Sequence, residues 1–182
     1  DGIAMDDGTA ARLAEDHFVV TTTTAYAVSV YRHMEFARQV LWPDLDVQLI
    51  STTEAWAQYA VAGPNARNLL RKIVDAEFDI SNEAFPFMAC GIVTVLGGLR
   101  ARLFRISFSG ELAYEIAVPT RYGEAMMRAL IEAAEEFGGC AYGNVALGVI
   151  RIEKRHVAGN ELNGTTTALN LGLDRMVSTQ KD

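Results

Sequence analysis

Apolar and polar positions recur with two different periods along this chain, and the changes of period mark its elements. In GTAARLAEDHFVVTTTT, Phe18, Val19, Val20 and the threonines after them are strand formers, so Ala14-Glu15-Asp16-His17 reads as the turn of a β-hairpin. Tyr26, Val30, Met34, Ala37 and Leu41 then recur at helical spacing and predict a helix over 25–41, which Pro43 ends. Strands are expected at 47–52 and 55–61, and a short helix in GPNARNLLRKIV, with Pro64 near its first turn, where a missing N–H costs little. Ser81 is a candidate N-cap for the short turn SNEAFPFM. Strands at 91–96 and 99–108 flank a Gly97-Gly98 hairpin turn, and a further strand spans 113–118. A helix over 121–137 carries Met126, Ala129, Leu130, Ala133 and Phe137 on one face, and another runs over 144–154. The polar, threonine-rich tail from Asn160 onward is expected to be irregular. Strands that pair locally, with helices between them, predict an α+β fold with mostly antiparallel sheet and packed helices. There is no internal repeat and no low-complexity linker; a sub-boundary is placed near 52–55.

Composition narrows the classes of function. The chain of 182 residues is 50% hydrophobic and 21% charged, which is ordinary for a globular protein with enough core to fold without staples. A net charge of −7 and the lack of any Lys/Arg run argue against a nucleic-acid partner, while local arginines still allow a small anionic ligand. Cys90 and Cys140 are isolated; they form neither a disulfide framework nor a zinc spacing, and they fit a reducing cytoplasm. No apolar run reaches the ~18 residues of a membrane span, and no signal peptide is recognisable. The chain opens DGIAMDDG without an initiator methionine and closes on STQKD without a helix, so it is expected to be a piece of a longer protein.

Few residues stand out as chemistry. The chain contains no G-x-G-x-x-G, P-loop, H-x-E or H-E-x-x-H, and His17, His33 and His156 are scattered, so no metal is expected. Asp6-Asp7-Gly8 reads as a turn, Glu111 as a loop charge, and Arg151 with Glu153 as a helix-borne ion pair. Glu115 differs. Along the strand, Tyr114, Ile116 and Val118 share one face, and Ala113, Glu115 and Ala117 the other. Small neighbours leave a hollow, and a carboxylate at its base can accept two parallel N–H donors of a flat ligand such as an aminopyrimidine or pterin. The plain alternative is a solvent-facing glutamate on a half-exposed strand.

The stretch RISFSGELAYEI resembles the signature of the aminomethyltransferase family, the folate-binding T-protein of the glycine cleavage system and its relatives: an aromatic, Ser or Thr, Gly and Glu, then an aromatic-Glu-Ile run. DGIAMDDG, EDHFVVTTTT, AVAGPNARNLL and VIRIEK resemble further family segments in the family's order, so the resemblance covers essentially the whole chain. It implies an aminomethyltransferase folate-binding fold, with residues 1–182 as its central part and tetrahydrofolate as cofactor. In that family the glutamate matched by Glu115 grips the aminopyrimidine edge of the pterin, at roughly 1.5–3 kcal/mol per charge-assisted bond. Asp7 matches the aspartate placed near the reacting nitrogens and is the implied catalytic residue. Phe108 stands where relatives often carry Tyr, Thr22 and Thr23 where T-proteins place Asn, and Arg151 matches the arginine of a Leu-Arg-x-Glu run. TTTT, AFPFM, RISFSGEL, RIEK and LGLD…STQKD resemble an amine-oxidising branch of the family, whose long chains place a dinucleotide-binding part before the folate-binding one. That branch implies that a sarcosine-derived imine or formaldehyde meets tetrahydrofolate here and gives methylene-tetrahydrofolate. FAD or FMN and NAD would then sit elsewhere in the complex, and other subunits would be partners. A stand-alone glycine-cleavage aminomethyltransferase with a lipoyl carrier and a non-catalytic folate-binding module are the other readings. A fragment of such a domain is expected to be inactive alone and to self-associate through exposed apolar surface.

Overall fold

The computed structural model describes residues 3–159, 161, 162, 164–178 and 180. Asp1, Gly2, Asn160, Asn163, Thr179, Lys181 and Asp182 lie outside the described residues, so the ends of DGIAMDDG and STQKD and the start of the tail do too. The chain divides into two compact units. The first holds Asp1–Ala10, Val19–Ser51 and Val157–Asp182; the second holds Ala11–Phe18 and Thr52–His156. The short strands β1 (Ala10–Arg12) and β2 (Phe18–Val20) form a two-stranded sheet.

The first unit carries α1 (Ala27–Phe36), which continues as one wider turn over Ala37–Leu41, where the Trp42 N–H reaches back to the Ala37 carbonyl at 2.8 Å. The structure corrects one expectation in this unit. The segment 47–52 forms no strand: it pairs with no strand among the described residues, and the Val47 N–H turns back to the Leu45 carbonyl at 2.9 Å. Its Val-Gln-Leu-Ile run has strand-forming residues, but a strand also needs a neighbour's backbone to bond. The tail adds turns and a single bridge between Ile3 and Thr167.

The second unit is an antiparallel sheet of four strands: β3 (Trp56–Ala62), β4 (Cys90–Val95), β5 (Leu99–Phe104) and β6 (Ala113–Pro119), in the order β3-β6-β5-β4. The fold is α+β with antiparallel sheet. Alternation along each strand separates two faces. Val61, Val93, Val95, Ala101, Leu103, Tyr114, Ile116 and Val118 point into a single core. Two helices complete that core: α2 (Ala66–Leu70) supplies Leu69 and Leu70, and α3 (Gly123–Glu135) supplies Met126, Leu130 and Ala133 at spacings of four and three. Burying a Leu, Ile or Met contributes roughly 1.5–3 kcal/mol each, so this face anchors β6 firmly. α4 (Asn144–Glu153) follows a loop after α3.

Strand β5 stops at Phe104 instead of reaching Phe108, and the chain then bends through 108–112 around Gly110 at φ 78°. The β4–β5 connection has three residues, Leu96, Gly97 and Gly98, since Val95 still pairs with Leu99. The Asp75 carboxylate caps it, accepting the Gly97 and Gly98 N–H groups at 2.8 Å each.

Candidate functional site

Register decides what surrounds Glu115. Its backbone partners are Ala60 on β3 and Phe104 on β5, while Ala62 faces Ala113 and Gln58 faces Ala117. The face of β6 away from the core therefore has alanines before, after and beside its one carboxylate. The room they leave is a hollow of about 160 Å³, walled by Ala60, Ala62, Ala113, Ile106, Phe108, Tyr142 and Leu147 with Glu115 among them. Glu115 is half-buried, and burial pushes its carboxyl above the usual glutamate range; an amide hydrogen bond from Gln58 to Oε2 pulls the other way. Burial and the Glu115 charge together raise the Tyr142 phenol. Among the described residues no Lys, Arg or His lines the hollow. Chemically it offers an acceptor-only group to a flat, donor-bearing edge.

Phe108 joins Glu115 in the lining. Its ring meets His156 edge-on, with centroids 5.6 Å apart and planes at 76°. His156 sits just past the end of α4. Arg155 takes φ 59°, the Arg155 N–H bonds the Ile152 carbonyl, and the His156 N–H bonds the Arg151 carbonyl, both at 2.9 Å. That is the Schellman pattern of helix termination. The buried Arg151 closes the same turn from its side chain, donating Nη1 to the His156 carbonyl at 3.0 Å. Arg151 is thus tied to the turn that supports Phe108.

The remaining predicted residues belong to the first unit. Thr23 donates its N–H and hydroxyl to the two carboxylate oxygens of Asp6, at 3.0 and 2.8 Å, and the Thr22 hydroxyl donates to the Thr23 carbonyl at 3.1 Å. Asp7 is exposed. Gly8 sits where a Cβ would lie 2.0 Å from the Thr21 carbonyl oxygen, so the third residue of Asp-Asp-Gly has no room for a side chain. Asp6-Asp7-Gly8 forms no turn, contrary to the reading from sequence: Asp6 is engaged by Thr23, Gly8 packs against the Thr21 backbone, and Asp7 lies between them.

Gln58 and Tyr142 are contributors that sequence reasoning missed. The alternation of WAQYAVA puts Gln58 on the same face as Ala60 and Ala62, which is a usable signal once β3 is paired with β6. Tyr142 lies in a loop with no pattern to reveal it. Among the described residues no group of three His, Cys, Asp or Glu is placed to hold a metal ion, and no helix is long and apolar enough to cross a membrane.

Comparison with known proteins adds to this geometry. Over all of its 182 residues the chain is 57% identical to the sarcosine oxidase subunit alpha of Rhizobium meliloti (strain 1021), 18% of whose length it spans. The same subunit of Corynebacterium sp. (strain P-1) is 43% identical over 183 residues, 19% of its length. Mitochondrial dimethylglycine dehydrogenase of Rattus norvegicus is 31% identical over 137 residues, which is 75% of this chain and 16% of that one. Among solved structures, the heterotetrameric sarcosine oxidase from Corynebacterium sp. U-96 in complex with pyrrole 2-carboxylate superposes with a TM-score of 0.56. That match covers 79% of this chain and 66% of the other at 18% identity, a likeness of fold alone. The model of the GCVT N-terminal domain matches residues 1–181, and it is to this family that the chain belongs.

Proposed function

We propose that residues 1–182 form the tetrahydrofolate-binding part of a sarcosine oxidase. There, the one-carbon unit released by oxidative demethylation of sarcosine passes to tetrahydrofolate and gives methylene-tetrahydrofolate. The observation that carries this reading is the half-buried Glu115 carboxylate in a hollow walled by alanines and Phe108. The likeness to sarcosine oxidase alpha subunits over the whole chain supports it, and favours it over a stand-alone glycine-cleavage aminomethyltransferase or a non-catalytic module. The chain spans about a fifth of those relatives' length. On this reading the flavin (FAD or FMN) and NAD belong to other parts of the complex, with the other sarcosine oxidase subunits as partners.

The residues present fit a pterin head. A desolvated carboxylate without a cationic partner takes the ring N–H and exocyclic amine side by side, and alanine walls admit a flat ring. Bound there, tetrahydrofolate supplies the amine nitrogens that accept the one-carbon unit. The chain positions this group and excludes water, which is most of what attack by an amine on an electrophilic carbon requires. Phe108 packs against the ring and, lacking a hydroxyl, moves no proton. Asp7 stabilises positive charge on the folate amine as the unit arrives. Thr22 and Thr23 spend their hydroxyl protons inside the chain and keep oxygen lone pairs for folate. Arg151 acts through the His156 turn on the placement of Phe108.

Calorimetry of tetrahydrofolate binding to the full-length protein tests the assignment. Glu115→Ala should weaken binding by at least about 100-fold, two charge-assisted bonds being lost, and Glu111→Ala should leave it as it was. Equal affinity in Glu115→Ala removes the assignment. Asp7→Asn should alter turnover more than binding: free formaldehyde should rise at the expense of methylene-tetrahydrofolate. An unchanged product ratio would leave Asp7 without a part in the reaction.

A further inference from the structure

Among the described residues, a single side chain donates a hydrogen bond to Glu115, and it is a neutral one. Gln58 lies on β3 opposite Ala117, two residue pairs along from the Ala60–Glu115 pair and so on the same face of the sheet. Its amide N–H reaches Glu115 Oε2; only the NH₂ end of a glutamine can bond a carboxylate, so the orientation of the amide is fixed by chemistry. Among the described residues no other side chain hydrogen-bonds the carboxylate: the Ser109 and Tyr142 hydroxyls line the hollow without doing so, and the Tyr114 hydroxyl is engaged by Arg67. Ala60 on β3, Phe104 on β5, Ala113 and Ala117 on β6, Leu147 on α4 and Phe108 in the preceding loop have no polar hydrogen to give. Two cations of β5 share this face, Arg100 opposite Thr94 and Arg102 opposite Ala117, and the Arg102 guanidinium stacks over the Trp56 ring at 3.8 Å. Tyr142 is the other titratable group facing the hollow.

We propose that Gln58 is a positioning residue of this site: it fixes the plane of the Glu115 carboxylate toward the hollow and holds it ionised without neutralising it. The inference rests on the folate reading above. A neutral donor suits the task better than a cation. A Lys or Arg at this position would satisfy the charge internally and compete with the ligand's two donors, whereas an amide leaves the full negative charge for them. Without any donor, a carboxylate out of water takes up a proton more readily and then presents an O–H toward another donor.

The test is the pH dependence of tetrahydrofolate affinity in the full-length protein. Wild-type affinity should fall toward acid pH as Glu115 protonates, and Glu115→Gln should lose that acid limb, which assigns it. In Gln58→Met, matched in shape and lacking the donor, the limb should move to higher pH by about one to two units, the equivalent of one charge-assisted hydrogen bond. Gln58→Lys should lose affinity at all pH values by more than tenfold, through an internal ion pair, while its melting temperature stays at or above that of wild type. A Gln58→Met profile whose limb stays in place overturns the inference, whatever happens to absolute affinity, because a merely structural side chain would not move it. A wild type whose binding does not depend on Glu115 overturns the folate reading and this inference with it. An unmoved limb on top of Glu115-dependent binding overturns the inference alone.

Discussion

A carboxylate held away from water between alanines works against the fold that holds it. Burial raises the Glu115 carboxyl above its ordinary value, more than the Gln58 amide lowers it. A group whose folded-state pKa is raised stabilises the fold while it is protonated, and that contribution is lost as pH rises through the folded value. In the ligand-free protein, Glu115→Gln should therefore melt higher than wild type at neutral pH, and the gap should close as pH falls through the Glu115 range. Thermal melts across that interval check this; a gap of constant size would mean that the carboxylate is solvated. The same residue was the most legible part of the site. One charge between two alanines on an alternating strand is a pattern that sequence alone can show, and the structure puts the hollow there. Gln58 was not legible, because its role depends on the β3–β6 register, which brings together residues 57 positions apart. The Asp6–Thr23 pair was missed for the same reason, being 17 positions apart. Asp-Asp-Gly read as a turn and is none, because its course is set by contacts distant in sequence, Asp6 with Thr23 and Gly8 against Thr21.

At the scale of elements, local chemistry sufficed wherever an element carried its own instructions. The period of α3, the alternation of β6 and the Gly97-Gly98 turn can each be read within about a dozen residues, and each is present. Segment 47–52 fails on a non-local condition: its composition suits a strand, but no strand among the described residues supplies the other half of a ladder. The β4–β5 hairpin shows the opposite case, a local turn finished by a distant group. Leu96, Gly97 and Gly98 all have positive φ, at 53°, 80° and 116°, and the Asp75 carboxylate, brought alongside by the chain after α2, accepts both glycine N–H groups. Bonds from the Thr94 side chain and from these two N–H groups hold the Asp75 carboxyl below the usual aspartate range. A depressed pKa contributes stability that is present above the unfolded value and lost as pH falls through the folded one. Asp75→Asn should therefore lower the melting temperature at pH 7 and lose that effect progressively in acid, as the wild-type carboxyl protonates. A deficit of equal size at acid and neutral pH would show that shape, not charge, holds the turn.

For the molecule as a whole, the question is how much of a folate these residues can enclose. Drug-sized ligands occupy sites of roughly 300–1,000 Å³. The hollow at Glu115 measures about 160 Å³, room for a bicyclic ring but not for the aryl and glutamyl parts of the ligand. Where the rest of the ligand and the rim of the carboxylate face water, the effective dielectric is high and each charge-assisted bond contributes less. The surface also carries exposed apolar side chains. On α4, Val145, Val149 and Ile152 follow one another at spacings of four and three and are 86%, 55% and 61% exposed. In the first unit, Trp42 and Ile50 are exposed as well. Stripes of this kind mark interaction surfaces. Residues 1–182 produced by themselves should therefore self-associate, and replacing Val145, Val149 and Ile152 by serine should shift the distribution toward monomer in sedimentation equilibrium. The same fragment should bind tetrahydrofolate at least about 100-fold more weakly than the full-length protein, a difference of about 2.8 kcal/mol. Paired titrations of fragment and full-length protein decide the matter. A monomeric fragment that binds one equivalent of tetrahydrofolate with full-length affinity would show that the hollow and its surroundings in residues 1–182 already hold the whole ligand.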